Sequence, residues 1–96
     1  MTLTPFDASK YLTDDETIAE FLMALLDSGN TAALLSGLGA VAKARGMTKV
    51  AADAGLNRES LYRAFAPGSN PGFDTIRRVM DAVGVQLSVR PTRKPA

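Results

Sequence analysis

Apolar residues recur at helical spacing through most of the chain, and glycines and prolines cut that pattern into short pieces. Ile18, Phe21, Leu22, Leu25 and Leu26 share one face of a first helix. Thr13 or Asp14 is placed to cap it, the acids of its first turn suit the helix dipole, and Gly29 and Asn30 end it. A second helix is expected from about Thr31 to Arg45, with Leu34, Leu35, Leu38, Val41 and Ala42 on one face and Gly46 as its C-cap. Gly37 and Gly39 weaken that helix, each by up to about 1 kcal/mol relative to Ala. Two short helices follow, over about Thr48 to Ala54 and Arg58 to Phe65. The run from Pro67 to Gly72 breaks both helix and strand and is expected to be a loop. A last helix from about Phe73 to Val83 has Ile76, Val79, Met80 and Val83 as its apolar stripe and stops at Gly84. Val85, Leu87 and Val89 then alternate with Gln86, Ser88 and Arg90, the period of a short strand. Before the first helix, Pro5 to Leu12 reads as irregular or extended, with Phe6 and Tyr11 as apolar anchors; after the strand, Pro91 to Ala96 reads as a polar, mobile tail. There is no internal repeat. The chain therefore divides into an arm with the first helix (1–30), a helical bundle ending in a short strand (31–90) and a basic tail (91–96).

Composition narrows the chemistry. The 96 residues are 46% hydrophobic, enough for one folded domain with a small core that a second chain would help to bury. The sequence has no Cys and no His, which removes the usual zinc ligands, Ser-His and Cys-His catalysis, and any disulfide. That usage fits the cytoplasm. The first ten residues lack the basic cluster and apolar run of a signal peptide, and the dense apolar stretch Phe21 to Leu26 is too short to cross a membrane. Asp14, Asp15 and Glu16 are adjacent rather than on one helix face, so capping accounts for them better than a metal site or a carboxylate pair. No cofactor, metal or enzymatic activity is expected.

The net charge of +1 conceals an asymmetry. Up to Ala40 the acids are Asp7, Asp14, Asp15, Glu16, Glu20 and Asp27 against Lys10 alone, giving −5. From Val41 onward ten Lys and Arg stand against Asp53, Glu59, Asp74 and Asp81, giving +6. Like charges gathered in one part of a chain point to a partner of the opposite sign, or simply to solvated helix faces.

The informative stretch runs from Met47 to about Ala66. Two helices that cross closely need a small residue, supplied by Ala51, and the turn after the first needs a residue tolerant of positive φ, supplied by Gly55. Leu56 and Leu61 then bury the turn and the second helix, with Val50 and Phe65 beside them, and Asn57 is placed to cap that helix. This is the pattern of a helix-turn-helix. Asn57, Arg58, Glu59, Ser60, Tyr62 and Arg63 begin the second helix away from its apolar face, where Arg58 or Arg63 can make paired hydrogen bonds to guanine, Asn57 to adenine unless capping occupies it, and Glu59 can accept from cytosine. Thr48, Lys49, Ser69 and Asn70 flank the motif as candidate phosphate contacts. On the alternative reading, Tyr62 packs on the bundle and Arg58 and Glu59 form an ordinary exposed turn.

These residues resemble the Cro/repressor-like (XRE-type) helix-turn-helix family. Nearly the whole chain is similar to the HigA-like addiction-module antidote proteins, through Pro5-Phe6-Asp7 with Tyr11-Leu12, Gly55 to Arg63, Asn70-Pro71 with Phe73 to Ile76, and the apolar end at Val85 to Val89. The resemblance implies an all-α, lambda-repressor-like bundle of about five helices with a short C-terminal strand. It also implies an antitoxin that binds a small basic RelE/HigB-like toxin and, on double-stranded operator DNA, represses its own operon. Phe6, Tyr11, Asp14, Asp15, Glu16 and Glu20 then become candidates for holding the toxin, the alternative being a solvated helix packed on the bundle. A homodimer is expected, because one motif reads only a few base pairs, and Val85 to Val89 is the candidate edge for forming it. The rival readings are a stand-alone phage or mobile-element repressor and an interaction-only module that no longer touches DNA.

Overall fold

The computed structural model describes residues 14–92. Among them it forms five α-helices: α1 (Asp15–Asp27), α2 (Thr31–Arg45), α3 (Met47–Ala54), α4 (Arg58–Ala64) and α5 (Phe73–Ala82). Phe6, Tyr11 and the last four residues of the expected tail lie outside the described residues. Helix starts follow the local chemistry. The Asp14 carboxylate accepts from the Thr17 N–H at 2.7 Å, and the Asn30 side chain accepts from the Ala33 N–H at 3.0 Å. Asn30, expected to end the first helix, thus begins the second: its amide oxygen satisfies one of the backbone donors that a helix start leaves free.

One core holds the helices together. Ile18 and Leu22 of α1, Leu38, Val41 and Ala42 of α2, Met47, Val50, Ala51 and Ala54 of α3, Leu61 of α4, and Val79, Met80 and Val83 at α5 are all buried. α1 lies on α2, while α3 packs against α2, α4 and α5. Among the described residues no polar or charged residue is buried, so the core owes its stability to apolar burial alone. Leu35, placed by its periodicity with Leu38 and Val41, is only partly buried.

Gly37 and Gly39, which weaken α2 as an isolated helix, prove to be packing residues. Both are buried. A Cβ on Gly37 would strike the Leu25 side chain and press on the Phe21 ring at 3.2 Å, and one on Gly39 would lie 3.3 Å from the Phe65 Cβ. The lost helix propensity is offset by letting α1 and the end of α4 approach α2 closely.

The expected strand is corrected by the structure: Val85 to Arg90 belongs to no ladder, and no strand occurs among the described residues. A strand exists only by pairing, and a bundle of helices offers no edge to pair with. The alternation is expressed as burial instead. Val85 and Leu87 pack on the core, while Gln86 and Ser88 face solvent.

This C-terminal segment is pinned to α1 at two places. Arg90 pairs with Asp27 at 2.8 Å, and Gly84 lies against Asp15, which itself pairs with Arg45 of α2. Gly84 has φ +98°, and a Cβ there would fall 2.6 Å from the Asp15 carboxylate. Gly84→Ala is therefore expected to destabilise the fold by about 1–2 kcal/mol from backbone strain alone, with the Asp15 contact adding to it. Urea unfolding of the two proteins measures this; an unchanged midpoint would show that the turn relaxes freely.

Candidate nucleic-acid interface

α3 and α4 are joined by Gly55, Leu56 and Asn57. Gly55 takes the left-handed conformation at φ 73° and ψ 29°. Its N–H donates to the Ala52 carbonyl at 3.2 Å, and the Leu56 N–H donates to the Ala51 carbonyl at 2.8 Å. This pair of bonds closes a helix whose next residue is left-handed, and a β-carbon disfavours that conformation. Leu56 packs against the core and Ala51 is buried, as their spacing predicts. Asn57 accepts from the Ser60 N–H at 2.7 Å and so caps α4. One lone pair of its amide oxygen is therefore engaged, and the cap turns that oxygen toward the backbone of α4, which competes with a two-point contact to adenine.

Leu61 fixes the rotation of α4 by being fully buried. Arg58, Glu59, Tyr62 and Arg63 are consequently exposed, and Ser60 is half-buried. Tyr62 is 43% exposed and does not pack into the bundle. The Arg58 guanidinium lies 5.4 Å from the centre of the Tyr62 ring, and its Nη2 donates to the Tyr62 hydroxyl at 3.4 Å. The pair holds Arg58 loosely in place through a cation–π contact worth about 0.5–1 kcal/mol at an exposed site.

The flanking residues divide. Thr48, Lys49 and Asn70 are exposed. Lys49 pairs with Asp53 one turn later at 2.8 Å. Ser69 is half-buried, and its hydroxyl donates to the Ala64 carbonyl at 2.6 Å, so its proton closes the end of α4. Among the described residues Arg45, Lys49, Arg78 and Arg90 have carboxylate partners, whereas Lys43, Arg58, Arg63 and Arg77 have none. Nothing in the local sequence marks Lys43 and Arg77; only the fold shows that they too are exposed and unpaired.

The acidic end divides as well. Asp14 is the cap of α1, Asp15 pairs with Arg45, and Asp27 pairs with Arg90. Glu16 and Glu20 stand one turn apart on α1, exposed and without an ion-pair partner among the described residues. The charge asymmetry of the sequence is thus partly neutralised inside the fold. Among the described residues no acidic cluster could hold a metal ion, and no helix is long and apolar enough to cross a membrane.

The described residues thus form an all-α bundle with a tight α3–α4 turn and, on α4, two exposed arginines without a carboxylate partner. The model of a protein family described as "Probable addiction module antidote protein" matches residues 2–91, and the chain belongs to this family. A protein of Haemophilus influenzae (strain ATCC 51907 / DSM 11121 / KW20 / Rd), described as uncharacterized, is 41% identical over 91 residues, covering 95% of this chain and 94% of its own. No solved structure matches significantly. The family is one of antidotes, not enzymes, and an antidote implies a toxin as its partner.

The cap of α1 gives a pH-dependent test. The Thr17 backbone N–H, helped by the Thr17 side chain, holds the Asp14 carboxyl below its ordinary value of 3.8. The folded-state value is depressed, so this stabilisation is fully present above 3.8 and is lost as the pH falls through the lower folded value. Asp14→Asn keeps a capping oxygen but cannot ionise. It is expected to lose less thermal stability than the parent protein between about pH 5 and pH 2. Equal losses would show that the Asp14 charge contributes nothing.

Proposed function

We propose that α3 and α4 form a DNA-reading helix-turn-helix of the lambda-repressor-like kind, and that the protein is the antitoxin of a type II toxin–antitoxin module. It represses its own operon as a homodimer on double-stranded DNA, and it neutralises a small basic RelE/HigB-like toxin in the cytoplasm. The observation that carries the DNA reading is the pair Arg58 and Arg63. They stand exposed and unpaired on a seven-residue helix that follows a left-handed glycine turn, while several other cations of the chain are ion-paired. A guanidinium without a carboxylate partner needs no pair broken before it meets a guanine edge or a phosphate. Arg58, Glu59, Tyr62 and Arg63 face the groove, Asn57 and Ser60 form the capped start of the helix, and Thr48, Lys49, Ser69 and Asn70 lie along the phosphates.

The toxin side rests on the antidote family and on charge. A toxin that cleaves RNA binds a polyanion and carries a basic surface, for which Glu16 and Glu20 offer unpaired carboxylates on α1. Asp14 and Asp15 add field from the same helix start, and Phe6 and Tyr11 of the preceding arm supply apolar anchors.

Arg58→Ala or Arg63→Ala is expected to weaken binding to the operator by about 1–3 kcal/mol and to random DNA far less. Fluorescence anisotropy on both DNAs measures this; equal losses would reassign the residue to phosphate contact. Glu16→Lys with Glu20→Lys is expected to weaken capture of the co-expressed toxin while leaving operator binding intact. Undiminished capture would move the toxin surface off α1.

A further inference from the structure

Five large apolar side chains are exposed among the described residues: Met23, Leu26, Tyr62, Phe73 and Val89. Tyr62 belongs to the Arg58 pair. The other four come from α1, the start of α5 and the C-terminal segment, yet they line one groove of about 590 Å³. Phe73 is 65% exposed and Val89 98%. A concentration of this kind is not the ordinary scatter of apolar surface residues; it marks a face that a partner covers.

The segment along the groove narrows what that partner is. The Val85 N–H donates to the Met80 carbonyl at 3.0 Å, but residues 86–92 make no backbone–backbone hydrogen bond among the described residues. Val85 and Leu87 sit against the core, and Val89 continues their register with nothing described beneath it. Charge narrows it further. Asp27 and Arg90 both line the groove and pair with each other at 2.8 Å, so its charged groups cancel. Neither a basic toxin nor a phosphate backbone gains from such a face, whereas an identical copy meets it with one acid and one base on each side and no like-charge repulsion.

We infer that this face is where two copies of the chain join. Met23, Leu26, Phe73 and Val89 of each copy cover those of the other about a two-fold axis. The free backbone of residues 86–90 lies along the same segment of the second copy. A two-fold contact is isologous, so one self-complementary patch suffices and the assembly closes at two. The inference deepens the homodimer of the proposed function by giving it a surface. It also places Met23 and Leu26, on the helix that carries Glu16 and Glu20, in the dimer face rather than in the toxin face.

The test uses the full chain alone, without DNA or toxin. Sedimentation equilibrium is run on the parent protein, on Val89→Asp and on Leu26→Glu, with circular dichroism confirming that each is folded. The parent is expected to be a dimer, and each variant to dissociate about ten-fold more readily or worse, the scale of losing one apolar anchor. Hydrogen exchange of residues 86–90 is expected to be slower in the parent than in Val89→Asp. A monomeric parent, or variants that stay dimeric, would overturn the inference. In a separate co-expression, variants that stay dimeric but no longer capture the toxin would overturn it as well and hand the groove to the toxin instead. Arg63→Ala serves as the control: it is expected to remain dimeric, so a failure of the DNA reading and a failure of this interface give different results.

Discussion

α3 is an eight-residue helix, far too short to persist alone in water, and the rest of the fold closes around it. Met47, Val50, Ala51 and Ala54 are buried there, and the helix touches α2, α4 and α5. Small side chains at Ala51 and Ala54 let three neighbours approach, while Val50 supplies the apolar bulk that holds them. The orientation of α4 depends on this packing. Leu61 enters the same core, Gly55 turns the chain within three residues, and the opposite side of α4 has no direction left but outward. The exposed arginines are a consequence of that geometry.

The same core governs the two ends of the chain. α1 reaches it through Ile18 and Leu22, and α2 makes room for α1 by having glycine at position 37. The C-terminal segment reaches it through Val85 and Leu87, and Gly84 lets the chain pass beside Asp15. Ion pairs Arg45–Asp15 and Arg90–Asp27 then bridge the acidic part of the chain to the basic part. Such exposed pairs contribute little each to stability. Their larger effect is on function, since they remove two carboxylates and two cations from the charge available to partners. Among the charges that remain free in the described residues are Glu16 and Glu20 on α1 and Arg58 and Arg63 on α4, together with Lys43 on α2 and Arg77 on α5.

Much of this was legible in the residues. The helix boundaries follow from caps and breakers that act over three or four residues, and the expected ends differ from the observed ones by a residue or two. The Ala51–Gly55–Leu56–Leu61 spacing forecast the α3–α4 turn, because a left-handed glycine and a small crossing residue are local requirements. The α2 glycines were harder to place. Counted by propensity, Gly37 and Gly39 are defects; their purpose shows only when Leu25, Phe21 and Phe65 arrive from other elements. The expected strand is missing for a related reason. Alternation of apolar residues records which side is buried, but a ladder needs a second backbone, and no single segment contains one.

The sequence by itself determined the five helices, the turn after α3, the apolar stripes that meet in the core and the absence of thiol and imidazole chemistry. These are matters of local backbone preference and side-chain type, which act between near neighbours. The tertiary structure decided which charges are free, that Tyr62 serves Arg58 rather than the core, that Ser69 closes α4, and that Met23, Leu26, Phe73 and Val89 share one groove. Each of these joins side chains to groups whose position depends on the fold, most plainly where 63 residues separate Asp27 from Arg90. Pairing of charges and pooling of apolar surface depend on distance in space, and distance in space is set only when the core has closed.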